Sequence, residues 1–290
     1  MNPSQKQVWQ DIFELTKPRI ALLALAMAAL GFFMGSDGPV KAGLLCWTLI
    51  GLALVGASCG AINQYLEQDI DARMWRTLNR PLPSGRVKPG SALLLGAVTG
   101  VLGELILLVA VNSVTCVLGA LTILFYVGIY TPSKRVSSLS TLIGAIPGAM
   151  PPLMGFTASY GGMGIEGLVL FAILFLWQVP HFLSIAWIYR EDYARASLPI
   201  LSVIDTEGAN TAKQAIIYAI VLIPLTLLPS LRGVTGQTYF IGAMVLGLSF
   251  LAFAVHWGLY RTKLQARRLF FVSIVYLPAL GLLMVWDRVL

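Results

Sequence analysis

In the segment NQYLEQDIDARMWRTLNRPLPSG, Asn63–Gly85, three oxygen-bearing side chains recur at helical spacing. Asn63, Glu67 and Asp71 stand at i, i+4 and i+8, which puts them on one helix face with Met74 near the same line; Asp69 points roughly the other way. Hard oxygen donors on one face suit Mg²⁺, which keeps several waters and meets protein through one or two carboxylates plus substrate phosphates. Arg73, Arg76, Arg80 and Arg86 follow, and can meet the negative oxygens of a diphosphate. Basic residues after an apolar run are also what a cytoplasm-facing membrane loop carries. The in-line Asn/Glu/Asp face favours a metal–diphosphate site over a merely solvated loop.

Two other stretches carry related groups. In Tyr130-Thr131-Pro132-Ser133-Lys134-Arg135, Pro132 is expected to end a helix, leaving Lys134 and Arg135 at the membrane surface. They either hold a diphosphate or serve only as topology charges. Gln178, His181 and Asp192 fall in one narrow helical sector, with Ile185 and Ile188 between them, and Pro180 is expected to kink the helix beside His181. Polar groups in an apolar span usually face the bundle interior, so this sector reads as a pocket wall. An interhelical hydrogen bond is the plainer role for His181. Asp192 and Glu191 can add a metal ligand, or simply pair with Arg190 or Arg195.

The elements that must position these groups are membrane spans. Of 290 residues 57% are hydrophobic and only 11% charged, and mean hydropathy is +0.80. Soluble domains carry about 25% charged residues. The pattern predicts an all-α, polytopic bundle of nine transmembrane helices, near 20–35, 43–66, 91–110, 114–130, 139–158, 165–189, 213–229, 238–258 and 269–286. Of the 20 basic residues only Lys41, Arg232 and Arg288 then fall opposite the N-terminal side; Lys6, Lys17 and Arg19 are among those that share it. The positive-inside rule places the N-terminus in the cytoplasm and the C-terminus outside. The net charge of +7 is thus a topology signal and not a nucleic-acid footprint. Neither a cleavable signal peptide nor an organellar presequence is evident, so a bacterial inner membrane is the expected location. The chain reads as one domain, 1–290, with residues 1–19 as a cytoplasmic segment and loops 67–90, 130–138 and 189–212 converging on the cytoplasmic face.

Other features have weaker readings. Glu104, deep in the third span, is expected to be protonated or paired. His256, beside Trp257 and Tyr260, fits an interfacial aromatic belt. Pro147 to Pro152 is expected to break the fifth span, either shaping a pocket or forming a kink. Cys46, Cys59 and Cys116 show no metal-ligand spacing and read as small hydrophobes.

Together these stretches resemble the UbiA-type intramembrane prenyltransferases, over nearly the whole chain. The carriers are Thr16-Lys17-Pro18-Arg19-Ile20, Asn63 through Gly85, Tyr130-Thr-x-x-Lys-Arg135, Ile143 through Pro152, Trp177-Gln-x-Pro-His-Phe182 and Tyr189-Arg-x-Asp-Tyr193. The Trp-Gln-x-Pro-His-Phe and Gly-Ala-Ile-Pro-Gly-Ala runs look specific to the branch that acts on heme. There are two departures. Glu67 stands where an Asp is usual, and the second Asp-x-x-x-Asp motif keeps only Asp192, with Ile188 at the earlier position, which puts a full two-metal cluster in doubt. His181 falls where relatives with other acceptors tend to have an acid.

The resemblance implies transfer of a farnesyl group from farnesyl diphosphate to a vinyl group of heme b, with water addition, giving heme O and diphosphate. It implies Mg²⁺ on Asn63, Glu67 and Asp71, joined by Asp192, with Arg76, Arg80, Lys134 and Arg135 on the diphosphate. Tyr130, Gln178, His181 and Asp192 would contact substrate, and His181 would ligate the heme iron or orient the macrocycle. The second role is favoured, because a substrate must leave. The implied partners are the two substrates, the lipid bilayer, and heme-modifying or oxidase-assembly proteins downstream. A quinone precursor or other aromatic ring is the alternative acceptor. A transporter is disfavoured, because the carboxylates cluster to one side and no repeat is visible.

Overall fold

The computed structural model describes residues 3–289, and the side chains of these except at 3–6, 8 and 19. The Lys6 and Arg19 side chains, used above for topology, lie outside this set. All regular structure among the described residues is helical apart from one isolated bridge, Thr235 to Arg288. The helices in order are α1 (Pro3–Leu15), α2 (Pro18–Met34), α3 (Ala42–Leu66), α4 (Gln68–Asp71), α5 (Pro89–Ile106), α6 (Ser113–Ile123), α7 (Thr131–Ser133), α8 (Ser140–Tyr160), α9 (Ile165–Ile188), α10 (Arg190–Arg195), α11 (Leu201–Ile204), α12 (Ala209–Leu231), α13 (Gln237–Tyr260) and α14 (Lys263–Trp286). Two widen into π-helical turns, α5 over Leu107–Val111 and α6 over Leu124–Tyr130, the latter leading directly into α7.

Seven of these rods are long and apolar enough to cross a membrane, and the pair Trp9–Leu15 and Ile20–Met34, bent by 54°, brings the number to eight if it is counted as one span. The expected nine are therefore not all met by length and apolarity. The difference falls on α8, whose Pro147, Pro151 and Pro152 lie inside an unbroken helix. That also corrects the expected break. Each proline lacks an N–H and frees a carbonyl one turn back, but α8 is packed within the bundle against α2, α6 and α9, where the freed groups lie inside protein and the helix continues. Pro180 likewise sits inside a continuous α9.

The approach of α2 to α8 is a backbone contact. A Cβ on Gly155 would overlap Ala28 O, and one on Gly31 would overlap Pro152 O. Small residues at such crossings let membrane helices pack by van der Waals contact where no hydrophobic force between them exists. Two apolar cores result. One joins α9, α12, α13 and α14 around Trp177, Trp257, Tyr239 and Tyr276; the other joins α2, α3, α6, α8 and the π-turn of α5 around Leu52, Leu107 and Met154.

A third cluster, Ile70, Met74, Ala186, Ala196, Leu198 and Ile200, fastens the loop after α3 to the end of α9 and the segment after it. Each large apolar side chain buried there contributes roughly 1.5–3 kcal/mol. The Arg195–Asp192 ion pair in the same region, at 3.2 Å with Arg195 well exposed, belongs to a class worth about 0–1 kcal/mol. Apolar burial holds these loops together.

Candidate active site

The α3 helix ends at Leu66, not at Asp71 as a single helical face requires, and Glu67 occupies the junction with φ −104° and ψ 9°. The spacing nevertheless survives. Glu67 N donates to Asn63 O at 2.9 Å and Asp71 N to Glu67 O at 2.8 Å, so the i to i−4 pattern runs through the bend into α4. Asn63, Glu67 and Asp71 are all buried, and Thr77 Oγ donates to Asp71 O to fold the following chain back over them.

Each of the three meets a cation. Lys17 Nζ donates to Asn63 Oδ1, while Asn63 Nδ2 donates to Thr131 Oγ at 3.0 Å. Lys134 Nζ lies 2.7 Å from Glu67 Oε1 as an ion pair and donates a hydrogen bond to Oε2 at 3.1 Å. Arg80 Nη1 donates to Asp71 Oδ2 at 2.7 Å. Arg76 lies over the rings of Tyr189 and Tyr193 at 4.8 and 5.5 Å and donates to the Tyr193 hydroxyl at 3.2 Å. Lys17, Arg76, Arg80 and Lys134 outnumber Glu67 and Asp71, leaving positive charge for an anion.

Electrostatics differ within this ring. Burial, with repulsion from Arg80 and Lys134, lowers the Lys17 ammonium to about 7 against the pull of Glu67 and Asp71. Burial also acts on Lys134, but Tyr130 and Glu67 outweigh it and hold that ammonium above its ordinary value. Lys134 Nζ sits 4.4 Å from the Tyr130 ring, which packs on Gly144; a Cβ there would strike the ring.

Several expected members stand elsewhere. Arg135 turns away from Lys134 into a two-pronged bond with Asp69, 2.6 and 2.9 Å, and donates to Leu66 O. That bond holds the Asp69 carboxyl below its usual range. Adjacent residues at a helix end project about 100° apart, so one of the two cations enters the site while the other caps α3. Arg73 pairs loosely with Asp69 at 3.6 Å, and Arg86 ties down α1 through Asp11 at 2.8 Å.

Gln178, His181 and Asp192 do not form one wall. Gln178 is buried against Gly148 of α8 and donates to Leu174 O. His181 faces α14 through Ser273. Asp192 lies beyond the end of α9, in α10, where it accepts from Trp75 N at 3.3 Å and from Arg195. A new helix axis after Ile188 removes the shared sector. Lys17 has the converse history. As one of many basic residues flanking spans it reads as a topology charge, yet its left-handed backbone, φ 51°, lies between α1 and α2, and its side chain reaches Asn63.

Asp71 Oδ1 is a buried oxygen that accepts no hydrogen bond, and buried Glu67 Oε1 has only the Lys134 ammonium beside it, at 2.7 Å. Leaving such acceptors unmet is costly, and a hard cation is the partner these donors suit. No three His, Cys, Asp or Glu side chains stand together among the described residues, so Asp192 does not join Glu67 and Asp71 in a carboxylate cage. An ion that takes most of its ligands from water and phosphate does not need one. The residues fit Mg²⁺ shared with a diphosphate.

Residues 24–275 match the UbiA prenyltransferase family. The chain is 45% identical over 288 residues to the protoheme IX farnesyltransferase of Solibacter usitatus, covering 96% of this chain and 99% of that one. With the protein of the same name from Koribacter versatilis identity is 40% over 299 residues, covering 99% and 96%. The fold is similar to that of a solved digeranylgeranylglyceryl phosphate synthase, with TM-score 0.81, 18% identity and 96% and 98% of the two chains covered. It is also similar to a UbiA homolog from Archaeoglobus fulgidus bound to GPP and Mg²⁺, with TM-score 0.66, 16% identity and coverage of 95% and 99%.

Proposed function

The chain belongs to the UbiA prenyltransferase family, and we propose that this multi-pass membrane enzyme transfers a farnesyl group from farnesyl diphosphate to a vinyl group of heme b, giving heme O and diphosphate. One observation carries the reaction class: a buried Glu67–Asp71 pair, its Asp71 Oδ1 without a hydrogen bond, ringed by Lys17, Arg76, Arg80 and Lys134. What supports heme as acceptor is the identity of 40–45%, over nearly the whole chain, to relatives named for protoheme IX.

Asn63, Glu67 and Asp71 would hold Mg²⁺, which neutralises charge on the diphosphate oxygens and makes that group easier to expel. Arg80, Lys134 and Lys17 bind the terminal oxygens through charge-assisted hydrogen bonds, and Arg76 closes the loop side. Apolar span walls keep water from the allylic cation until it is captured. The vinyl π electrons attack the allylic carbon as its C–O bond breaks. Water then adds to the cation beside the macrocycle and loses a proton. His181, whose Nδ1 edge is turned to α14, would meet the porphyrin through its other edge. Asp192 supports Trp75 and Arg195 at the loop clasp, and Arg135 secures the end of α3.

The reading takes 1–290 as one domain in a bacterial inner membrane, N-terminus cytoplasmic, because the site cations share that side under the positive-inside rule. Product heme would pass to heme-modifying or oxidase-assembly proteins.

The experiment is mass spectrometry of pigments from membranes carrying this protein, supplied with heme b, farnesyl diphosphate and Mg²⁺, with and without chelator. A farnesylated, hydrated heme that disappears with chelator is expected. Prenylation of another aromatic acceptor, with heme untouched, would discard the heme assignment while keeping the metal site.

A further inference from the structure

His181 is held on three sides. Its ring stacks on Trp177 at a centroid distance of 4.8 Å and on Phe270 at 5.2 Å, with interplanar angles of 19° and 28°. Nδ1 is 2.6 Å from Ser273 Oγ. The Ser273 hydroxyl also lies 2.5 Å from Phe270 O, a carbonyl that can only accept. A hydroxyl has one proton. Spent on Phe270 O, it leaves an oxygen lone pair that accepts from His181 Nδ1–H, and both short contacts become hydrogen bonds. The reverse assignment would leave Oγ and Phe270 O as two acceptors in contact with no proton between them. Ser273 is fully buried and is fixed again through its carbonyl, which accepts from Trp177 Nε1 at 3.0 Å.

The other ring nitrogen is different. Nε2 makes no hydrogen bond among the described residues, and His181 is only partly buried. With the proton on Nδ1, Nε2 carries a bare lone pair.

We propose that Ser273 is a positioning residue that fixes the Nδ1–H tautomer of His181 and thereby presents Nε2 as an axial ligand to the iron of the porphyrin acceptor. The proposal rests on the reading that His181 faces that acceptor. It also answers the objection that a substrate must leave. A carboxylate on the far nitrogen makes a histidine a stronger base and a tighter ligand, whereas a serine hydroxyl is neutral and accepts more weakly than a carboxylate. The imidazole stays neutral, a ligand that aligns the macrocycle and then releases it. Trp177 and Phe270 fix the ring plane, and with it the azimuth of the iron–nitrogen bond.

The test is titration of the purified, detergent-solubilised full chain with ferric heme b, read by absorption spectroscopy and by farnesyl diphosphate affinity. The unmodified protein gives the spectrum of a histidine-ligated heme, and His181→Ala abolishes it. Ser273→Ala weakens heme binding about tenfold and shifts the ligated spectrum, with farnesyl diphosphate affinity unchanged, while Ser273→Thr restores both heme readouts. If His181→Ala loses the spectrum while Ser273→Ala keeps it at full affinity, the Ser273 assignment falls and the reading of His181 stands. If His181→Ala keeps the spectrum, the reading itself falls and takes the assignment with it. Equal loss of both substrates in Ser273→Ala, unrescued by Thr, means a packing role and overturns the proposal.

Discussion

Arg80 donates to Asp71 across 2.7 Å, joining an acid with almost no exposure to a cation that keeps more than a quarter of its surface open. The bond marks the floor and the mouth of the site at once. Asp71→Asn keeps the shape and removes the charge. Turnover should fall at least about 100-fold, the scale for losing one charge-stabilising group at a reacting centre, while the thermal midpoint in detergent moves little. A rate within threefold of the parent would discard the metal assignment.

Lys134 and Arg135 are neighbours in sequence with different duties. Lys134→Gln removes a charge-assisted hydrogen bond worth about 1.5–3 kcal/mol, so KM for farnesyl diphosphate should rise tenfold or more. Arg135→Gln loses only Asp69 and Leu66 O at an exposed surface, and its KM should stay within about twofold. Steady-state kinetics on the two variants decide this, and equal effects would restore both to the diphosphate.

Lys17 should behave as a site residue. Lys17→Met keeps the buried aliphatic stem and removes the donor to Asn63 Oδ1. Farnesyl diphosphate should bind at least tenfold more weakly, with membrane insertion and heme affinity unchanged. Unaltered affinity measured by calorimetry would return Lys17 to the role of a topology charge.

The α2–α8 contact predicts a glycine-specific stability effect. Gly155→Ala must push the helices apart at Ala28 O, costing about 1–3 kcal/mol. Gly162→Ala, where a Cβ meets nothing within 4 Å, is the matched control and should melt with the parent. Coincident melting curves for both would mean the bundle yields freely there.

A carboxylate also closes the far end of the fold. Asp287 Oδ2 accepts from Tyr239 N at 2.7 Å, capping the first turn of α13 from outside that helix, because Gly236 has no side chain to do so. Asp287→Ala should lower stability by about 1 kcal/mol, seen as a lower thermal midpoint with unchanged turnover per folded molecule.

The legibility of the site follows from which features are local. Asn63, Glu67 and Asp71 are readable because a bend that keeps i to i−4 bonding keeps their spacing. The common sector for Gln178, His181 and Asp192 assumes one axis, and α9 ends before Asp192 is reached. Span positions follow from apolar length, yet the proline-rich α8 stays helical because neighbouring helices, not its own sequence, hold it. Ser273 is a single hydroxyl in an apolar run, and only the arrival of α9 beside it gives it meaning. Lys17 is hidden by resemblance to its surroundings, one basic residue among many at membrane edges.

The π-helical turn Leu124–Tyr130 has a consequence in counting. A π-turn holds one residue more than an α-turn, so everything after it is rotated by about 100° relative to a regular helix. Thr131 meets Asn63, and Lys134 meets Glu67, with that offset included. Removing any one residue from 124–130 would let the helix close to ordinary pitch and swing Lys134 off its carboxylate, although no side chain of the site had been changed. Chain length in this stretch is therefore itself a functional parameter, as strict as the identity of the lysine it aims.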